Sequence, residues 1–316
     1  MNLLEEKLFA KTNNKIISQA EFINFCLYDE QFGYYKKSKT RVGDDGDFFT
    51  SSSLKQKVFG ELIKCSAKKI IQQHNKNSDL FKFVEIGAEP ERTIVENSAT
   101  IRLGEEIKLS GNVIVISNEL LDARPPERFI YKNSTWQKLH FNFSNGIANT
   151  QKILLPASEQ ECKTIERYFS KAKVEEFSLD ISFDAIELFE NICKQHWNGV
   201  LIFADYFRYS TELAEMPSGT LRTYFKHTQG SDIFKNIGDT DITYSPCSCI
   251  FEAIAKQHNF AISTKSQASF FIENAAEVAE KIISDNTDSF RKRELCQLIS
   301  PVHMGECFRI LCATRF

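Results

Sequence analysis

The run Val113-Ile-Val-Ile-Ser117, which stops within one residue at Asn118-Glu119, constrains the fold more than any other stretch. Four of its five residues are β-branched, and no polar residue alternates with them. A strand of that kind is buried on both faces, so it belongs inside a parallel sheet covered by helices. Ligands in open parallel sheets bind beyond the carboxyl ends of the strands. At this end Asn118 offers an amide, Glu119 and Asp122 offer carboxylates, and Pro125-Pro126 stops the next segment from continuing as a helix. A helix cap at Asn118 with two solvated carboxylates accounts for the same residues equally well. A second strand, Val200 to Ala204, ends in the same manner at Asp205-Tyr206, which strengthens the case for a site.

Leu80 to Gly87 reads as the first strand of the sheet, ending in a glycine. A fold that holds a dinucleotide or nucleoside needs several glycines here, because the backbone must approach the ligand before the next helix begins. This chain has one, followed by Ala88-Glu89-Pro90-Glu91-Arg92. Thr100 to Leu103 reads as a short strand, and the intervening residues suffice for a single bare crossover. Upstream, the polar loop from Gly43 to Ser53 is either punctuation or a lid, and a helix is expected from about Leu54 to Gln73.

The remaining elements follow local rules. Residues 1–28 read as helical, with Ser18-Gln-Ala-Glu21 as a capping box. Arg128 to Lys132 and Thr135 to Phe143 form a hairpin about Asn133-Ser134. Ser158 caps a helix to about Lys171, Ser182 to His196 is an amphipathic helix, and Ser245-Pro246 opens a helix to about His258. Gly305 to Cys312 reads as a last strand. Alternating helices and strands imply an α/β sheet with helices on both faces. The expected division is a helical module with its loop over 1–78 and an α/β domain over 79–316, carrying an insertion at about 134–180.

A net charge of -3, with 39 basic against 42 acidic residues, argues against a nucleic-acid partner. Charged residues among the first twenty argue against a signal peptide, no apolar run reaches membrane-spanning length, and the expected compartment is the cytoplasm. The nine cysteines read as reduced structural thiols. Cys247-Ser-Cys249 is the one close pair, and with no second pair at matching spacing no metal site is expected.

Taken in order, these pieces resemble the MidA family, whose members are similar to class I S-adenosylmethionine-dependent methyltransferases and include a mitochondrial factor that assists assembly of respiratory complex I. The resemblance rests on Ser18 to Tyr35, Gly46-Asp47-Phe-Phe-Thr50, Phe59-Gly60-Glu61-Leu62 and Asn118-Glu119-Leu-Leu-Asp122-Ala123-Arg-Pro125. It continues through Asp205-Tyr206, Thr220-Leu-Arg222-Thr-Tyr224 with His227, Asp241-Ile-Thr243, Gln267-Ala-Ser-Phe270 and Met304-Gly305-Glu306. It implies a Rossmann-like class I methyltransferase sheet, truncated at one edge, and N-methylation of a protein arginine. Asn118 and Glu119 would orient the acceptor nitrogen with support from Asp122. Glu85, Gly87, Asp47, Thr50 and Asp205 would serve S-adenosylmethionine, with Asp47 and Thr50 closing the site. In the family the first strand runs into Glu-x-Gly-x-Gly-x-Gly, a helix, a second strand with an acidic end and another helix. Here Glu85 and Gly87 remain, the other two glycines are replaced, and the spacing leaves no room for that helix, strand and helix. The expectation is that donor binding is lost or rebuilt, leaving altered chemistry or a non-catalytic paralogue that binds a partner protein. On that view Gly87→Asp would be harmless to function.

Overall fold

The computed structural model describes residues 3–12, 16–37, 51, 54, 57–89, 92–144, 146–169 and 173–316. The chain opens with α1 (Leu3–Thr12), β1 (Ile16–Ser18) and α2 (Gln19–Tyr28). The stretch 1–28, read as helical, holds two helices with a short strand between them. Ser18 takes extended backbone as the N-cap, and its capping box with Glu21 starts α2 at Gln19, leaving Ile16 to Ser18 to pair with residues 140–142. The next helix, α3 (Val58–Gln73), begins after Lys57, which holds a left-handed φ of 58°, and Glu294 accepts the Val58 N–H at 2.7 Å. Its start is thus later than the Leu54 reading.

Then follow β2 (Lys82–Ile86), β3 (Ala99–Ile101), β4 (Gly111–Asn118), β5 (Glu127–Lys132), β6 (Thr135–Asn142), β7 (Gln151–Pro156), α4 (Glu159–Phe169) and β8 (Ser178–Ile181). After α5 (Phe183–Cys193), β9 (Trp197–Asp205) and α6 (Ser210–Leu213) come β10 (Arg222–Phe225), β11 (Thr228–Gly230), β12 (Asp241–Thr243) and α7 (Ser248–Gln257). The chain closes with β13 (Ala261–Ser266), α8 (Gln267–Asn274), α9 (Ala276–Ser284), α10 (Ser289–Ile299), α11 (Met304–Cys307) and β14 (Arg309–Arg315). Two further expectations are corrected. α7 starts at Ser248 rather than Ser245, because Pro246 O accepts from Arg208 N–H and Arg208 O accepts from Ser248 N–H, which keeps this stretch extended. Met304 to Cys307 forms a helical turn, and the last strand begins only at Arg309.

The residues fall into two compact units. One comprises Phe49–Leu121, Glu187–Phe207 and Ile250–Phe316 and holds a six-stranded sheet in the order β13-β14-β9-β4-β2-β3. β3, β2, β4 and β9 run parallel, while β14 is antiparallel to both β9 and β13. From β2 the chain places β3 on one side and β4 on the other, so the strand order switches between β2 and β4, where such sheets bind ligands. Ile114 and Ile116 lie in register with Val200 and Ile202 and pack with Phe59, Leu62 and Ile63 of α3 in one buried cluster. β4 is apolar without alternation because both of its faces are covered.

The other unit comprises Met1–Phe48, Asp122–Ile186 and Arg208–Cys249. It holds an antiparallel sheet in the order β1-β6-β5-β8, with β7 also paired to β6, and a separate sheet in the order β11-β10-β12. The β5–β6 hairpin turns at Asn133 and Ser134, both with positive φ, as a two-residue turn compatible with sheet twist requires. Phe22 of α2 packs among Phe141, Phe143 and Phe234.

Candidate site at the carboxyl edge of the parallel sheet

The carboxyl ends of β2, β4 and β9 bring Glu85, Gly87, Asn118, Glu119 and Asp205 to one edge of the sheet unit. Ser117 Oγ donates to Ile86 O at 2.8 Å, tying the end of β4 to the end of β2. Glu119 then leaves the strand with φ 51°, a left-handed conformation that costs a non-glycine residue about 1 kcal/mol or more. Its N–H donates to Ala204 O at 2.9 Å, and its Oε1 accepts from Asn118 Nδ2 at 2.9 Å. The amide and the carboxylate are thus oriented by each other and by β9. Asp205 accepts from Leu121 N–H at 3.0 Å and from Tyr206 N–H at 2.7 Å, so its carboxylate holds the chain where it leaves β4. Leu121 was not foreseeable as its partner, since the two lie far apart in sequence.

On β2, Glu85 is 5% exposed and accepts the Ile94 N–H at 2.7 Å. Burial pushes its carboxyl up to about 7, against the lowering effects of its hydrogen bonds and of the Arg102 charge. Gly87 has φ 79°, its N–H donates to Ile101 O at 2.9 Å, and a Cβ there would meet Leu120 Cδ1 at 3.0 Å. The need for glycine is met by the backbone and by Leu120. β3 pairs directly with β2, Val84 opposite Ala99 and Ile86 opposite Ile101, and the described residues between these strands include no helix. The residue after β3 is Arg102, whose N–H donates to Glu105 Oε2 at 2.6 Å.

Asp122 belongs to the other unit, where it is buried. Tyr28 and Tyr35 stack there with ring centroids 5.3 Å apart. Tyr28 Oη donates to Ala123 O at 2.9 Å, and Tyr35 Oη donates to Asp241 Oδ1 at 3.0 Å. Burial pushes both phenols up, and the charges of Asp241 and Asp122 add to this, with Arg124 opposing it at Tyr28. Tyr28, Tyr35 and Asp241 sit in the segments that carry the family resemblance, and that was the one signal available for them. Asp47 and Thr50 lie outside the described residues. Among the described residues no group of three or more His, Cys, Asp or Glu is arranged to hold a metal, and no helix is long and apolar enough to cross a membrane.

The family described as putative S-adenosyl-L-methionine-dependent methyltransferase matches residues 68–265, more than half of the chain. The chain belongs to this family. Among solved structures, it is similar to a COG1565 superfamily protein from Burkholderia thailandensis in complex with S-adenosyl-homocysteine, at 18% identity and a TM-score of 0.82, covering 99% of this chain and 92% of that one. A native COG1565 superfamily protein from the same organism is similar at 17% identity and a TM-score of 0.75, with the same coverage. No curated protein matches. At these identities the likeness is one of fold, and the fold is the Rossmann-like class I methyltransferase α/β architecture expected from the sequence.

Proposed function

We propose that this chain is a MidA-like member of the family whose donor site has been rebuilt, so that N-methylation of a protein arginine is lost or altered. The observation that carries this reading is the direct pairing of β3 with β2 across a connection whose described residues form no helix. A nucleoside donor held at such an edge needs close backbone approach, a helix N-terminus and a carboxylate for the ribose hydroxyls. Here Leu120 packs onto Gly87, Glu85 is buried against the Ile94 N–H, Asp205 is bonded to two backbone N–H groups, and Arg102 follows β3. These residues do not fit S-adenosylmethionine held in the family's manner.

In this reading the protein is cytoplasmic and its ligand is another protein. The Asn118–Glu119 pair would orient a bound nitrogen where altered chemistry survives; otherwise the scaffold serves as a non-catalytic assembly factor. The strained backbone of Glu119 favours retained chemistry, since strain of that kind clusters at functional sites. Calorimetric titration with S-adenosylmethionine and, separately, with S-adenosylhomocysteine tests the proposal. No heat beyond dilution at millimolar ligand is expected. Micromolar binding of either would sink the rebuilt-site reading and restore donor-dependent methyl transfer.

A further inference from the structure

The Cys247-Ser248-Cys249 pair belongs to the unit that does not hold the parallel sheet, and it has no role in the proposed function. Neither cysteine is in a disulfide; Cys247 is buried and Cys249 is partly exposed. Cys249 lies in the first turn of the ten-residue helix α7, where backbone N–H groups favour a negative sulfur. Its Sγ lies 3.6 Å from Ser210 Oγ, and the Cys247 side chain hydrogen-bonds it. The approach to the helix is fixed by Arg208, which bridges Cys247 and whose carbonyl accepts from Ser248 N–H at 2.9 Å.

From this arrangement we propose that Cys249 is a peroxide-reactive thiolate and that Cys247 is its resolving partner, the two closing to a disulfide. Residues two apart have Cα atoms at most about 7 Å from each other, which overlaps the range of about 4.4–6.8 Å that disulfides take. The Cys249 sulfur attacks one oxygen of hydrogen peroxide; the O–O bond breaks and hydroxide leaves, taking a proton to become water. Cys247 sulfur then attacks the resulting sulfenic sulfur, the S–O bond breaks, and the departing hydroxide takes the Cys247 proton as a second water. Two thiols are oxidised and one peroxide is reduced.

The electrostatics agree with the geometry. The hydrogen bond from Cys247, the largest cause, with those from Ser210 and Ser248, holds the Cys249 thiol down to about 5 against its partial burial. By contrast, burial pushes Cys193 and Cys312 up to about 12. Tyr168 of α4 is a titratable neighbour from another element; burial pushes its phenol up, Arg167 opposes this, and the two cysteines add to it.

The test is peptide-resolved mass spectrometry of the reduced full-length protein, labelled with iodoacetamide from pH 5 to 9 beside glutathione in the same tube. At pH 6 a thiolate fraction raised a few hundredfold, less the lower nucleophilicity of a low-pKa thiolate, leaves Cys249 labelling roughly tenfold faster than glutathione. Stoichiometric hydrogen peroxide should link Cys247 to Cys249 in a bond that dithiothreitol reverses. Cys247→Ser should instead accumulate a sulfenic acid at Cys249 that dimedone traps. Labelling of Cys249 that follows the glutathione titration, or peroxide consumption at the exposed Cys296 and Cys307 with Cys249 left reduced, would overturn the proposal.

Discussion

Gly87→Ala places a Cβ on a backbone held at φ 79° and 3.0 Å from Leu120 Cδ1. The left-handed conformation alone costs an L-residue about 1–2 kcal/mol, so urea unfolding should register at least that loss. Truncating Leu120 as well should recover only the contact, because the backbone term remains. Gly87→Asp, harmless on the sequence reading if no ligand approaches, is strained for the same reason, so its effect on function has to be read in protein shown to be folded. Glu85 supplies the pH dependence at this scale. Its folded carboxyl titrates near 7, above the unfolded value, so the folded state binds more protons between the two. Its contribution is fully present below about pH 4.5 and is lost as pH rises through 7. Glu85→Gln keeps an acceptor for the Ile94 N–H and removes that loss. Thermal melts should show the variant more stable than the parent above pH 7, by up to about 3 kcal/mol, with the advantage gone near pH 4. An advantage that persists at pH 4 would contradict the assignment.

Among the elements, the pairing of β5 with β8 turns on one buried ion pair. Arg128 stands opposite Asp180 in register and donates to both of its oxygens, from Nε at 2.8 Å and from Nη2 at 2.9 Å. Thr220 and Leu221 N–H groups donate to the same carboxylate at 2.6 and 3.1 Å. Gly219, at φ 75°, brings them there, since a Cβ at that position would lie 2.5 Å from Asp180 Oδ2. Arg128→Met leaves this carboxylate buried without its counter-charge, which should cost about 3–5 kcal/mol in denaturant unfolding. A loss under about 1 kcal/mol would mean that the two backbone N–H groups alone satisfy Asp180. The turn of the β5–β6 hairpin and the capping boxes at Ser18 and Ser158 were legible in the sequence because each is made by residues within four positions of one another. β8 and β1 were not, since each is short and is fixed by pairing with a strand elsewhere in the chain.

For the whole molecule, the sheet unit is drawn from three separated stretches, 49–121, 187–207 and 250–316. A chain cut after Ile186 leaves β4 without β9, and its apolar run Val113 to Ser117 loses the neighbour that covers one edge. Fragment 1–186 should therefore be aggregated or unfolded by size exclusion and circular dichroism, and co-expression with 187–316 should restore soluble protein. A cooperative melt from the fragment alone would show that β4 needs no β9.

What the sequence by itself determined is set by neighbours along the chain. The unbroken β-branched run of β4, the abrupt polar ends at Asn118-Glu119 and at Asp205, the hairpin turn and the helix caps all follow from spacing and backbone preference, and with them the α/β class. A bare connection between β2 and β3, with no helix among its described residues, was legible too, because chain length bounds what can fit between two strands. Only the tertiary structure decided how the candidate residues are used. Gly87 is held against Leu120, Glu85 against Ile94 and Asp205 against Leu121, while Asp122 falls in the other unit. Contacts of that sort join residues without periodic relation, and each depends on which strands lie side by side, a choice made by the burial of the sheet as a whole.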